Sequence, residues 1–223
     1  MLSELGFVVG IAGAREMEVA IGATAQLFPI SPLSNGIGSS DRLIAFDRVD
    51  MLSGTSLSLG KTSSGHTWTQ SFGSWQSANG RIYSTIASGA LAYITIPTSN
   101  IDLSAGVKYA NREFLAIRAT DKYNFIGVRL NHVTGNAEIY KMDTGVSTTL
   151  AQISFVPSIG RRYLLNAKVY GPIIDFYVDG KYLISYTLSA GELTKFGAIV
   201  NHGIGGNSHV DGLFDNIEFR NIE

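Results

Sequence analysis

The chain has 223 residues, 45% of them hydrophobic, which is enough to bury one full core, and all-β sandwiches of this length are routinely single domains. Its 17 Lys and Arg against 18 Asp and Glu leave a net charge of -1, so it lacks the broad positive field of a non-specific nucleic-acid binder. Cysteine is absent, which excludes disulfides, thiolate zinc sites and cysteine nucleophiles together.

Met1 to Arg42 differs from the rest of the chain. Gly6, Gly10, Gly13 and Gly22 lie among small and aliphatic residues, and Pro29, Pro32, Asn35, Gly36 and Gly38 break any regular element. There is no basic n-region, and Arg15, Glu16 and Glu18 interrupt the longest apolar run, so neither a signal peptide nor a membrane span is expected. Ala14 to Leu27 fits a short helix, with Met17, Ala20, Ile21 and Leu27 roughly on one side, and fits a paired strand equally well. Residues 1–42 read either as a terminal strand and loop of the main domain or as an arm that docks on a neighbouring subunit. The arm is favoured, because apolar residues with no sheet pattern of their own need a surface elsewhere to cover them.

From Leu43 onward the rhythm is that of strands. Trp68 and Trp75 can each bury about 200 Å², so they are expected between two sheets rather than as exposed platforms for a sugar. Glu113 to Met142 reads as three consecutive antiparallel strands with two distinct faces. Leu115, Ile117, Ala119, Ile126, Val128, Leu130, Ala137 and Ile139 form a core face. The alternate positions mix cations, an acid, an amide and rings, among them Arg118, Phe125, Arg129, Asn131, Glu138 and Tyr140. A sugar site joins a ring for the apolar face of a pyranose with fixed donors and acceptors for its hydroxyls, so these six residues are the candidate carbohydrate surface. The competing reading is that Arg118 and Arg129 only pair with Glu138 or Asp121, while Phe125 and Tyr140 cover the sheet.

Hairpins continue beyond this point. Asp143-Thr144-Gly145 is a turn, Thr148 to Phe155 a short strand, and Tyr163, Leu165, Ala167 and Val169 an inward face reversed at Gly171-Pro172. Ile174, Phe176 and Val178 face inward on the partner strand, and Asp179-Gly180 is the strongest hairpin signal. Lys181 to Leu188, Phe196 to Val200 and Leu213 to Phe219 supply further strands, with Gly203 to Asn207 as a glycine-rich loop and no helix expected after residue 43.

Catalytic signatures are missing. His66, His132, His202 and His209 show no spacing that seats two imidazoles on one helix face, so a zinc site is not expected. There is no G-x-S-x-G elbow, and Gly203-Ile204-Gly205-Gly206 opens no helix. Glycoside hydrolysis needs a carboxylate pair at a set separation, and Glu138 stands alone on its face.

One set of residues carries a resemblance. Phe46-Asp47-Arg48-Val49-Asp50, Ser58-Leu59-Gly60, Gly65, Trp68, Gly73-Ser74-Trp75 and Gly80 are followed by Arg118-Ala119-Thr120-Asp121, Asn124-Phe125, Val128-Arg129-Leu130, Asp179-Gly180 and Phe214-Asp215-Asn216. In this order they resemble the concanavalin A-like lectin/glucanase superfamily, in the laminin-G-like branch found in tail and other virion proteins of phages infecting actinobacteria. The resemblance spans roughly residues 43–223; it lies in the order of the motifs, none of which is specific alone. It implies a two-sheet antiparallel jelly-roll sandwich at 43–223; residues 1–42 fall outside it, and the reading of them as an irregular arm to other virion proteins rests on their own lack of a sheet pattern. It further implies a virion protein that presents a lectin-like domain to a host-envelope glycan on the outer surface of the particle, with a homo-oligomer, a trimer, expected; the residues themselves, through charge, apolar runs and the missing carboxylate pair, lead us to expect no nucleic-acid binding, membrane insertion or enzymatic activity. The alternative is an architectural virion protein that binds no glycan. Glycan-cleaving relatives carry an E-x-D-x-x-E strand, which is not found here. A structural calcium linking first and last strands is also implied, with Asp47, Asp50 and Asp215 as ligands; otherwise Asp215-Asn216 simply starts a turn. If the candidate face does not bind glycan, the loops around His202 to Asp211 are the next place to look.

Overall fold

The computed structural model describes residues 16–21, 24–29, 43–48, 57–78, 80–85, 89–110, 113–206 and 213–222. The chain divides into two compact units, Met1–Ser39 and Ser40–Glu223. In the first, β1 (Glu16–Ile21) pairs antiparallel with β2 (Thr24–Pro29), in a register that sets Ile21 opposite Thr24. The segment that fits helix or strand is thus a hairpin. The remaining residues of the proposed arm, Phe7 among them, lie outside the described residues.

The second unit is a jelly-roll β-sandwich. Its early strands are β3 (Leu43–Asp47), β4 (Leu57–Ser58), β5 (Thr69–Phe72), β6 (Trp75–Ala78), β7 (Arg81–Ser84), β8 (Ala90–Thr95) and β9 (Ile101–Lys108). The hairpins β10 (Phe114–Asp121), β11 (Asn124–Asn131), β12 (Asn136–Asp143) and β13 (Val146–Ser154) follow, then β14 (Arg162–Tyr170), β15 (Ile173–Val178) and β16 (Lys181–Thr187). Helix α1 (Ala190–Phe196) precedes β17 (Asn201–Gly206) and β18 (Leu213–Asn221). Among the described residues, seven strands form one antiparallel sheet in the order β13-β12-β11-β10-β17-β8-β5. Nine form the other, β16-β15-β14-β9-β18-β7-β6-β4 with β3 also on β18. They are called the β17 sheet and the β18 sheet after one inner strand of each.

Period-two alternation builds the core. Leu115, Ile117, Ile126, Val128, Leu130, Ala137 and Ile139 from the β17 sheet meet Leu103, Val107, Leu165, Phe176 and Phe219 from the β18 sheet. Both tryptophans lie in this layer, Trp68 at 4% and Trp75 at 0% exposure. Trp75 packs on Phe214 with ring centroids 6.1 Å apart, and Trp68 meets Phe219 edge-on at 6.2 Å. At the Asp179-Gly180 turn both residues have positive φ, 51° and 76°, as a two-residue hairpin of this type requires.

The structure corrects the reading of two segments. No strand forms at Phe196 to Val200. Ser189 instead caps α1: its side chain accepts the Glu192 N–H, and Glu192 reaches back to the Ser189 N–H. The expected loop at Gly203 is the middle of β17, which pairs with β10 on one edge and β8 on the other.

A third correction concerns β10. Pairing with β11 jumps from Ile117↔Ile126 to Asp121↔Asn124, a bulge in which Arg118 takes φ 53°. The bulge reverses the alternation, so Ala119 joins the outward cluster rather than the core face. Arg118 is 1% exposed and leaves the candidate surface altogether. Its Nη2 donates to the Gly171 carbonyl at 2.8 Å and to the Ser99 carbonyl at 3.3 Å, and its backbone N–H donates to His202 Nδ1 at 3.4 Å. With Nδ1 accepting, His202 donates from Nε2 to the Thr98 carbonyl at 3.3 Å. Burial pulls the His202 imidazole down to about 3; the bond to Thr98 opposes this and the Arg118 charge adds to it.

Two tests follow from this architecture. Since β3 begins at Leu43 and its partner is β18, residues 43–223 alone are expected to fold and to melt within a few degrees of the full chain; aggregation of that fragment would make residues 1–42 part of the core. Because His202 is held neutral below its unfolded pKa of about 6.5, it stabilises fully above that pH, and its contribution is lost as pH falls toward 3. Urea midpoints should therefore drop between about pH 6.5 and 4.5, by up to about 1.4 kcal/mol per pH unit from this group. In His202→Gln that slope should flatten, at the expense of lower stability at pH 8; equal slopes would show that another group is responsible.

Candidate functional site

The outward face of the β17 sheet is set by strand register. Phe114 lies opposite Arg129 on one side and Gly205 on the other, Gly127 opposite Tyr140, and Arg129 opposite Glu138. Aromatic rings therefore lie over glycines on neighbouring strands. A Cβ on Gly127 would come 2.6 Å from the Tyr140 ring, and one on Gly205 would run into the Phe114 ring. Phe114 and Phe125 stack in parallel with centroids 5.2 Å apart, and Tyr140 stands edge-on to both at 6.0 and 5.8 Å. The Arg129 guanidinium sits 4.1 Å above the Tyr140 ring.

Arg129 also organises the polar part. Its Nε donates to Glu138 Oε2 at 2.7 Å, while Asn131 Nδ2 and Thr134 Oγ1 donate to Oε1 at 3.0 and 2.9 Å. Both carboxylate oxygens of Glu138 are thus engaged. Burial raises the Tyr140 phenol well above its ordinary pKa, Arg129 acting in the opposite sense.

Phe125, Arg129, Asn131, Glu138 and Tyr140 are thus brought together as the alternation predicts. The bulge separates Arg118 from them, and it pairs with neither Glu138 nor Asp121; Asp121 instead accepts from the Tyr123 N–H and Asn124 Nδ2. The assembled residues already satisfy one another. Phe125, Asn131, Glu138 and Tyr140 are 3%, 3%, 1% and 1% exposed, so neither Phe125 nor Tyr140 presents a ring face to solvent. Arg129, Met142, Tyr93 and Asn201 keep partial exposure around them.

The aspartates linked to calcium have other partners. Asp47 lies opposite Ile217, so β3 and β18 are neighbours; its Oδ2 accepts from Trp68 Nε1 at 2.8 Å and its Oδ1 from Ser63 Oγ at 3.3 Å. Asp215 forms an ion pair with Arg162. Asp50 lies outside the described residues. A calcium ion at Asp47 and Asp215 would have to displace these donors.

His202 is fully buried inside β17, so it is not a loop residue free to meet a ligand, and residues 207–212 lie outside the described residues. At the far end of the β17 sheet Lys141, Ser189 and Tyr186 converge on Glu192. Burial works to raise that carboxyl, but Lys141, the hydroxyl and backbone N–H of Ser189, and Tyr186 outweigh it and hold it at about 2. Exposed rings lie at Tyr123 in the turn between β10 and β11, 51% exposed, and at Tyr170 and Tyr182 of the β18 sheet, 38% and 50% exposed. The sequence reading passed over them, although the inward run Tyr163, Leu165, Ala167 and Val169 already put Tyr170 on the outward parity.

No family model matches the chain, and no curated protein matches it. Among solved structures it is similar to the carbohydrate-binding module CBM66 from Bacillus subtilis, with TM-score 0.53 and 13% identity, covering 70% of this chain and 92% of that one. It is also similar to BlXynB, a GH43 protein from Bacillus licheniformis, with TM-score 0.52 and 14% identity, covering 79% of this chain and 39% of that one. At these identities the likeness is one of fold.

Proposed function

We propose that residues 43–223 are a non-enzymatic carbohydrate-binding sandwich, displayed on the outer surface of a phage virion and directed at a glycan of the host envelope. The observation that carries this reading is the sandwich itself, which shares its fold with a module named for carbohydrate binding. The order of motifs from Phe46 to Asn216 supports the virion assignment, with residues 1–42 as the attachment to other virion proteins and a trimer as the assembly. The chemistry of Glu138 supports a binding role over hydrolysis. A retaining or inverting glycosidase needs two carboxyl groups flanking the scissile bond, one of them free to give a proton, whereas Glu138 is bound by Arg129, Asn131 and Thr134.

A second reading has its own observation. The outward face of the β17 sheet is closed by mutual pairing, which favours an architectural protein whose sandwich is a spacer. Calorimetric titration of the purified chain with host-envelope polysaccharides separates the two. Binding without release of reducing sugar is expected. Absence of binding to every envelope glycan would establish the architectural reading, and turnover abolished in Glu138→Gln would overturn the non-enzymatic one.

A further inference from the structure

The outward face of the β18 sheet differs in character from that of the β17 sheet. On β14 the residues that alternate with the core are Leu164, Asn166, Lys168 and Tyr170, and on β15 they are Ile173, Asp175 and Tyr177. Tyr177 lies opposite Asn166 on one side and Tyr182 on the other. Tyr177 and Tyr182 meet edge to face with centroids 5.6 Å apart, and Tyr182 is half exposed. Among the described residues neither phenol oxygen has a hydrogen-bond partner. At the other end of the row the Tyr170 hydroxyl donates to Asp175 Oδ2 at 2.8 Å, which holds its ring beside β15.

Between the rings lie oriented polar groups. Asn166 Nδ2 bonds the Asp102 carboxylate and donates to the Leu103 carbonyl at 3.2 Å. Lys168 Nζ reaches Asp102 at 3.4 Å and sits 5.6 Å from the Tyr177 ring centre. We infer that Tyr182, Tyr177 and Tyr170, with Asn166, Lys168 and Asp175 between them, form a binding surface for an extended neutral glycan. This rests on the carbohydrate-binding reading above and places the binding on this sheet rather than beside Glu138.

The chemistry selects the ligand class. Stacked pyranose C–H faces need accessible rings, and sugar hydroxyls need donors and acceptors fixed nearby; this face presents both, while Phe114, Phe125 and Tyr140 beside Glu138 are buried. Asp102 and Asp175 disfavour an anionic ligand, and Lys168 already occupies the position at Tyr177 that a ligand cation would take. The apolar parts are the Tyr177–Tyr182 pair at one end and Tyr170 at the other, with Asn166, Lys168 and Asp175 between them, not the single contiguous patch that a protein partner covers. Strand spacings place Tyr182 and Tyr170 roughly 15 Å apart, which suits a chain of sugars over a single one.

The test uses the full chain, titrated by calorimetry and by affinity electrophoresis with a soluble neutral glucan, galactan and mannan. At least one polymer should bind. Tyr182→Ala and Tyr177→Ala should each weaken that binding about ten-fold, as loss of a stacked ring does, with unchanged melting temperature. Tyr182→Phe should restore most of the affinity, and Tyr123→Ala, an exposed ring in the turn between β10 and β11, should leave it within about two-fold on the same scale of stacking losses. Affinity retained in the Tyr177→Ala, Tyr182→Ala double variant overturns this assignment and leaves carbohydrate binding standing elsewhere on the molecule. No binding of any of the three polymers by the unaltered protein overturns the assignment, and loss of binding to host-envelope glycans as well would overturn the functional reading with it. A change in oligomeric mass on Tyr182→Ala without a change in affinity would make the face a contact between copies instead, and overturn the assignment.

Discussion

The bulge at Arg118 is the constraint from which most of the sandwich's asymmetry follows. A guanidinium with almost no solvent access is costly unless its donors are met, and here Nε and Nη2 meet the main-chain carbonyls of Ser99 and Gly171, while Nη1 has no partner among the described residues. Gly171 belongs to the turn between β14 and β15, so the side chain of one sheet is bound to the backbone of the other. The same residue's N–H fixes the tautomer of His202 and so anchors β17 to β10. Removing the charge from the outward face lets Ala119 take its place beside Phe114 and Phe125.

That exchange decides what each face can do. With Arg118 turned inward, the β17 sheet carries an apolar pavement capped by a single ion pair, and its rings press onto glycines of neighbouring strands. Rings packed over glycines in this way stiffen a glycine-rich region that has little side-chain packing of its own. The β18 sheet has no such layer outside its core, and its tyrosines project among charged groups. On the outward faces, one sheet therefore buries Phe114, Phe125 and Tyr140, and the other keeps Tyr170 and Tyr182 exposed.

Much of this was legible in the sequence. Alternation placed the core residues of β11, β12, β14 and β15, the Asp179-Gly180 pair announced its turn, and two large indoles announced a core. The pairing of Arg129 with Glu138 was anticipated as the competing reading. The bulge was not legible, because Phe114 to Asp121 alternates smoothly on paper and nothing in Arg118 itself signals positive φ. β17 was hidden because glycines supply neither apolar pattern nor β-propensity; its place is fixed by the two strands that pair with it and by the Phe114 ring that lies over Gly205. Helix α1 has a capping box at Ser189 and Glu192, but a helix of 7 residues offers too little periodicity to be read beside strong strand signals.

The positions of β17 and β18 also bear on how the domain reaches its native state. β17 is the link between β10 and β8, and β18 is the link between β9 and both β7 and β3. Until residues 201–221 have left the ribosome, the β17 sheet exists only as two fragments and the β18 sheet as three, with unpaired inner edges. Contacts of such long sequence separation slow folding, and exposed edges invite pairing with other chains. Synthesis of this domain should therefore depend on chaperones that shield β8, β9 and β10 during translation, and truncation just before β17 should yield aggregates rather than a smaller folded sandwich.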